Sequence, residues 1–337
     1  MKEAMFYEKL EGGSVRCSLC RFRCLIAPGK RGHCTVRENR GGILYSLVYG
    51  RVVAEQVDPI EKKPLFHFLP GSRSYSVATV GCNFRCLHCQ NFGISQPEAS
   101  RVENSGCFLA PETIVERALA AGCRSISYTY TEPTVFFEYA YETAVLARAA
   151  GLKNVFVSNG YITNEALAAI APFLDAANID LKGFSDSFYR EVVGASLGEV
   201  LECIREYRRL GIWLEITTLI IPNRNDAEEE LRGIAEFIAS ELGPQTPWHV
   251  SQFYPTYRLT DEPRTPLATL RAARHIGLDA GLDYVYEGNV PGEGGENSCC
   301  PSCGGLLIKR YGYIIEQNLL ARGNCPGCGR AVDGVWD

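Results

Sequence analysis

Apolar residues along this chain come in two patterns: short β-branched and aromatic runs, and longer stretches in which an apolar position recurs every three or four residues. The runs at 75–80 (YSVATV), 125–130 (SISYTY), 153–158 (KNVFVS), 176–181, 212–220 (IWLEITTLI), 247–253 and 283–286 predict strands, since such residues suit a pleated, buried surface. The stretches between them predict helices. In EPTVFFEYAYETAVLARAAG, Pro133 occupies a first turn, apolar positions follow the helical period, and Gly151 provides the stop. Strands alternating with helices predict an α/β fold with a parallel sheet. Six or seven strands fall short of the eight in a closed (β/α)8 barrel, so an open or partial barrel is expected, with ligands at the carboxyl ends of its strands.

This organisation leaves three parts: a Cys-rich N-terminal module over residues 1–50, a barrel over 51–290, and a second Cys-rich module over 298–337. VPGEGGENS, residues 290–298, carries no apolar period and reads as a linker. The length of 337 residues accommodates about two domains, or one with appendages. Apolar residues at 46% and charged residues at 22% exclude disorder, collagen and coiled coil for the whole chain. A net charge of −5 gives no general attraction for nucleic acid or for an anionic membrane. No apolar run reaches the roughly 18 residues of a spanning helix, and the opening MKEAMFYEKLEGG has no signal-peptide core, so a cytoplasmic location is expected.

The outlier is cysteine, at 15 residues. A reducing compartment disfavours structural disulfides, so clustered thiols there more often hold metal or do redox chemistry. Eleven fall into three sets: Cys17, Cys20, Cys24 and Cys34; Cys82, Cys86 and Cys89; and Cys300, Cys303, Cys325 and Cys328. Cys107, Cys123, Cys203 and Cys299 stand apart, and Cys123 and Cys203 read as small buried hydrophobes.

The middle set is a C-x3-C-x2-C triplet in a strand-end loop, Gly81-Cys82-Asn83-Phe84-Arg85-Cys86-Leu87-His88-Cys89. Three thiolates at this spacing can hold three irons of a [4Fe-4S] cube and leave the fourth open to a ligand. Zinc is the competing reading, with His88 as fourth ligand, although a residue adjacent to a ligand is poorly aimed at the same ion. Three unrelated thiols is the plainest alternative.

The triplet, in the form CNFRCLHCQN after a first strand, resembles the radical S-adenosylmethionine (SAM) enzymes, in the branch of the activators of glycyl-radical enzymes such as pyruvate formate-lyase. The resemblance implies a partial (β/α)6 barrel, a [4Fe-4S] cluster at Cys82, Cys86 and Cys89, SAM chelated at the open iron, and reductive cleavage to methionine and a 5'-deoxyadenosyl radical that abstracts hydrogen. It also implies cofactor-binding roles for His88, against adenine, for Glu132, as partner of the methionine ammonium, and for Ser158 and Asn159 in a Ser-Asn-Gly strand end. Asp180 and Lys182, in an Asp-Leu-Lys segment, fall on one side of a strand, and the resemblance gives them the same role. Glu132 follows Tyr130-Thr131 where the family has two glycines, and a solvated first-turn Glu is its alternative. For Asp180 and Lys182 a simple ion pair is the alternative. Val157 stands where the activators have an aspartate beside a monovalent cation, so that cation is not expected. Tyr254 falls where they carry a histidine.

Each end module has four thiols. Cys300-Pro-Ser-Cys303-Gly and Cys325-Pro-Gly-Cys328-Gly are paired knuckles that build an S4 site for structural zinc or for iron. Cys17, Cys20, Cys24 and Cys34 have irregular spacing, compatible with zinc or an auxiliary cluster; Arg16, Arg21, Arg23, Lys30 and Arg31 run among them, as charge compensation or as a solvated face. Together with Asp58 to Gly71 (DPIEKKPLFHFLPG) and Phe253-Tyr254-Pro255-Thr256-Tyr257, these sets resemble the radical SAM protein of the AmmeMemoRadiSam system. That resemblance implies Memo-like and AMMECR-like companions and an electron donor. Lys62, Lys63 and His67 either line a substrate side or fix the entry to the first strand. Three functions compete: a radical enzyme acting on a small molecule or partner protein, an activator of a glycyl-radical protein, and a metal-stabilised scaffold without catalysis.

Overall fold

The computed structural model describes residues 1–337. The chain forms two compact units: Met1–Asp58 with Arg73–Ala177 and Gly198–Ile212, and Pro59–Ser72 with Asn178–Leu197 and Trp213–Asp337.

In the first unit, β1 (Arg73–Ala78), β2 (Ser125–Tyr128) and β3 (Lys153–Ser158) are parallel neighbours, with Ser125 opposite Ser74 and Lys153. All of β2 is buried, although Ser125 and Ser127 alternate with Ile126 and Tyr128; the Ser127 hydroxyl meets the Ser74 hydroxyl on β1 at 2.6 Å. Helix α1 (Pro111–Ala120) starts on a proline and buries Pro111, Ile114, Val115 and Ala118, one stripe at helical spacing. The second helical stretch divides in two. Pro133–Phe136 is a 3-10 turn, and α2 (Phe137–Ala149) begins only after Phe136 leaves helical geometry. Gly151 takes a left-handed φ of 81° at the stop. Helix α3 (Asn164–Ile170) is capped by the Thr163 hydroxyl, which accepts the Ala166 N–H. The N-terminal residues form two small antiparallel sheets, one of them built from Tyr7–Lys9, Val15–Cys17 and Leu25–Ile26.

The second unit takes most of β4 (Ala176–Asp180), which is followed in sequence by α4 (Leu197–Arg209). Its parallel strands β5 (Trp213–Ile220), β6 (Trp248–Gln252) and β7 (Val285–Gly288) are joined by α5 (Glu228–Phe237) and α6 (Leu267–Asp279). A three-stranded antiparallel sheet follows, β8 (Ser298–Cys299), β9 (Leu306–Tyr311) and β10 (Ile314–Asn318).

Phe66 packs with Tyr284, Tyr286, Cys300, Leu307 and Cys325 in one apolar cluster, so EKKPLFHF helps to seat the C-terminal sheet. Beside it lies a buried polar knot. Glu215 accepts the Phe66 and His67 N–H groups (3.0 and 2.8 Å), the Trp213 indole (3.1 Å) and His249 Nε2 (2.7 Å). The His67 ring bonds the Asp333 carbonyl (2.7 Å) and the Tyr286 hydroxyl (2.6 Å). Every member has partners, as a buried charged network requires.

Candidate active site

The triplet loop leaves the end of β1 through Gly81. This residue has φ 105°, and a Cβ there would lie 2.5 Å from Val36 Cγ1, so only glycine fits. Its N–H donates to the Ile94 carbonyl (2.9 Å). The loop then folds on itself: Phe84 N–H points at Cys82 Sγ (3.3 Å), and Arg85 Nη1 holds the Cys82 and Phe84 carbonyls (2.8 and 2.9 Å). Cys89 Sγ meets Ser95 Oγ at 3.0 Å. Phe84 is buried with its ring edge-on to Tyr161, which pins the loop's middle. Cys86 is buried, and Cys82 and Cys89 are half-buried.

Glu132 is 2% exposed. Oε1 accepts the Thr134 N–H (3.0 Å) and the hydroxyls of Thr134 (2.6 Å) and Ser158 (2.8 Å); Oε2 accepts the Asn159 N–H (2.8 Å). The residue caps the Pro133–Phe136 turn and ties it to the end of β3, so the reading as a solvated first-turn Glu is corrected. Burial raises its pKa even against these donors. The Cys82 thiol is pushed well above its usual value by burial first, then by Glu132, Cys86 and Cys89, which places the carboxylate and the three thiols in one electrostatic neighbourhood.

Asn159 completes the contact. Its Nδ2 donates to Asn83 Oδ1 at 2.7 Å and points at Cys82 Sγ at 3.8 Å. Asn159 Oδ1 and Asn83 Nδ2 are buried without partners. Unpaired buried polar atoms are costly, and these two lie beside the triplet, where a polar cofactor would satisfy them. Three thiols with an adjoining carboxylate, hydroxyl and amides thus fit an iron–sulfur cluster carrying a small zwitterionic ligand.

Tyr130, in place of a family glycine, adopts φ 63°, the left-handed backbone that glycine takes without cost. This kink also ends β2 at Tyr128, two residues short of the expected strand. The Tyr130 hydroxyl donates to Asp58, and its carbonyl accepts Asn91 Nδ2 at 2.8 Å. Sequence reasoning passed over Asp58 and Asn91 as site residues. The signal available was an asparagine two residues past Cys89; Asp58, 15 residues ahead of β1 in the strand Ala54–Pro59, offered none.

His88 is buried in the same unit. In the second unit, Asp180 and Lys182 form an ion pair (2.9 Å); the Lys182 N–H donates to the Tyr189 hydroxyl, and its carbonyl accepts Asn225 Nδ2. Tyr254 is exposed, with the Arg264 guanidinium over its ring at 4.7 Å.

The four C-terminal sulfurs lie within 4.8 Å of one another, with Cys300–Cys328 and Cys303–Cys325 at 3.6 Å. A tetrahedron with Zn–S bonds of about 2.3 Å has edges of roughly 3.8 Å, so the knuckles are closed around the volume of one ion. Among the basic residues of the N-terminal set, Arg21 is no solvated face: its side chain is 7% exposed and pairs with Glu199 at 2.7 Å.

A thiol triplet after the first strand of a parallel α/β unit, with a carboxylate and unsatisfied amides beside it, is an arrangement able to hold a metal–sulfur centre with a polar ligand. Residues 76–238 match the family model of the radical SAM superfamily, and the chain belongs to that superfamily. It is therefore an enzyme family that uses SAM and an iron–sulfur cluster. The chain is 50% identical over 338 residues to the Methanocaldococcus jannaschii protein described as "Uncharacterized protein MJ0808", covering 99% of this chain and 100% of that one. It is 31% identical over 112 residues to the isethionate sulfite-lyase activating enzyme of Nitratidesulfovibrio vulgaris, covering 32% of this chain and 36% of that relative. Among solved structures, a radical SAM methyltransferase from Sphaerobacter thermophilus aligns with TM-score 0.51 and 15% identity over 71% of each chain, a likeness of fold. No helix is long and apolar enough to cross a membrane.

Proposed function

We propose that Cys82, Cys86 and Cys89 hold a [4Fe-4S] cluster with one iron left for SAM, and that the resulting radical abstracts hydrogen from a small molecule or a partner protein. The observation that carries this reading is the pair of unsatisfied amide atoms on Asn83 and Asn159, beside Cys82, with the Asn159 N–H itself bonded to Glu132. When bound, the cluster with one added electron supplies the cleavage of SAM to methionine and a 5'-deoxyadenosyl radical. The chain's own residues bind, orient and exclude water. Gly81 lets the loop approach Val36, buried Cys86 and Phe84 keep solvent from its inner face, and Asn159 aims its amide at Cys82 Sγ. Ser158 and Thr134 hold Glu132 in place, with a lone pair of Oε2 left for an ammonium.

Activation of a glycyl-radical protein is a second reading, favoured by the stretch shared with an activating enzyme. Memo-like and AMMECR-like companions belong to the first. A partner that gains a glycyl EPR doublet on incubation with the reduced enzyme and SAM supports the second. The test of both is anaerobic reconstitution, then EPR of the reduced protein with and without SAM. SAM is expected to change the spectrum, and Cys82→Ala to abolish 5'-deoxyadenosine formation with circular dichroism unchanged. Continued 5'-deoxyadenosine release from that variant would refute the assignment.

A further inference from the structure

The N-terminal thiols are arranged unlike the C-terminal ones. Cys17 ends the strand Val15–Cys17, and its N–H bonds the Cys24 carbonyl (2.9 Å). Cys20 opens a turn closed by Arg23, which takes a left-handed φ of 44°, and Cys34 lies inside a second turn, from Gly32 to Thr35, closed by Thr35 at φ 65°. The four side chains line one pocket together with Arg37 and Thr134. In the C-terminal knuckles the sulfurs approach one another at 3.6 Å and enclose only an ion's volume. Sulfurs drawn together within 4.8 Å suit one ion; the N-terminal thiols line a shared pocket without closing on one another in that way, as the wider span of a cube of four irons and four sulfides requires.

Arg37 supplies the second observation. It is 1% exposed and lines the cavity. Nη1 points at Cys17 Sγ at 3.6 Å, while Nη2 reaches the Met5 carbonyl and the Glu138 carboxylate. Its Nε–H is buried without a partner. A guanidinium with an unspent donor on a cavity of thiols suits an anionic occupant with acceptor sulfurs, and a four-thiolate cluster carries net negative charge.

We propose that Cys17, Cys20, Cys24 and Cys34 bind a second [4Fe-4S] cluster, every iron of which is held by a protein thiolate. This deepens the reading above, since it draws on the same iron–sulfur chemistry in the same unit. The two centres are neighbours: a Cβ on Gly81 would lie 3.5 Å from the Cys34 carbonyl, and Thr134, on the cavity wall, bonds Glu132. With no open iron, the second cluster offers SAM no site.

The test is the full chain with Cys82, Cys86 and Cys89 all changed to Ala, reconstituted anaerobically with iron and sulfide in the presence of zinc. About four irons and about four acid-labile sulfides per chain are expected to remain, with a reduced EPR signal that SAM does not alter. The unchanged protein is expected to hold about eight of each, and Cys20→Ser with Cys24→Ser to lose half while keeping the SAM-sensitive signal. A triplet variant with no labile sulfide overturns the proposal, whether zinc or nothing fills the N-terminal set. If that variant is empty and the unchanged protein keeps a SAM-sensitive signal, the proposal fails and the radical SAM reading stands. If it retains its sulfide and no signal ever responds to SAM, the reverse holds.

Discussion

Replacing Glu132 by glutamine separates a carboxylate that builds the site from one that merely faces it. The side chain accepts four hydrogen bonds, two of them from backbone amides that have nowhere else to turn. Glutamine keeps the shape and one acceptor. Its best orientation places the oxygen toward Thr134 and Ser158 and sets the NH2 against the Asn159 N–H, donor against donor. One buried amide without an acceptor costs about 1–3 kcal/mol, and three bonds that change from a charged to a neutral acceptor each weaken by roughly 1 kcal/mol. Relief of burying the charge offsets part of this, since burial already raises the carboxyl pKa. The expected net loss is about 2–4 kcal/mol, read as a lower urea midpoint with an unchanged slope. Affinity for SAM, measured by equilibrium dialysis on the reconstituted protein, should fall as well. A variant as stable as the original, with only SAM binding weakened, would refute the staple and leave Glu132 a ligand alone.

Two other predictions concern the second unit. Burial lowers the His67 pKa to about 4, so the ring is neutral in the folded protein. A depressed histidine stabilises above its unfolded value near 6.5 and loses that stability as pH falls toward 4, by about 3 kcal/mol at about 1.36 kcal/mol per pH unit. Urea midpoints of the original and of His67→Gln should therefore converge over that interval, and parallel curves would contradict it. Treatment with a strong chelator, or Cys303→Ala, should make residues 298–337 susceptible to limited proteolysis and leave the strands before them resistant, because a closed S4 site that holds an ion stabilises a piece with a small core. An unchanged digest would show that Phe66, Leu307 and their neighbours suffice on their own.

Much of the architecture is legible in periodicity. KNVFVS and the core of IWLEITTLI form strands where their apolar runs lie, because a parallel strand is buried on both faces and advertises itself as a continuous apolar run. Pro133 and Gly151 mark a start and a stop as expected, but periodicity is blind to the change from 3-10 turn to α-helix at Phe136, which depends on Glu132 turning back on Thr134. The site is legible only in part. Spacing singles out the thiols as candidates because metal geometry constrains spacing directly. It cannot find Asn83, Asn91 or Asp58, whose partners are at the ends of other strands. Nor does it show that Tyr130 takes a glycine's backbone. His67 was ambiguous in sequence because its partners Tyr286 and Asp333 are more than 200 residues away.

Three sets of thiols on one chain meet three different surroundings, and the space between the sulfurs distinguishes them better than their spacing in sequence does. At Cys300, Cys303, Cys325 and Cys328 the sulfurs nearly touch, and the knuckles suit one ion. At Cys17, Cys20, Cys24 and Cys34 they stand around a cavity with a buried guanidinium on its wall. At Cys82, Cys86 and Cys89 three thiols share a loop whose remaining neighbours are a carboxylate and two unsatisfied amides. Only the last set combines an incomplete thiolate shell with groups able to bind a zwitterion, which is why the proposed chemistry is assigned to it. Glu132 stands between that set and the N-terminal cavity, with Asn159 on one side and Thr134 on the other. A change at Glu132 should therefore disturb both sulfur sites of the first unit.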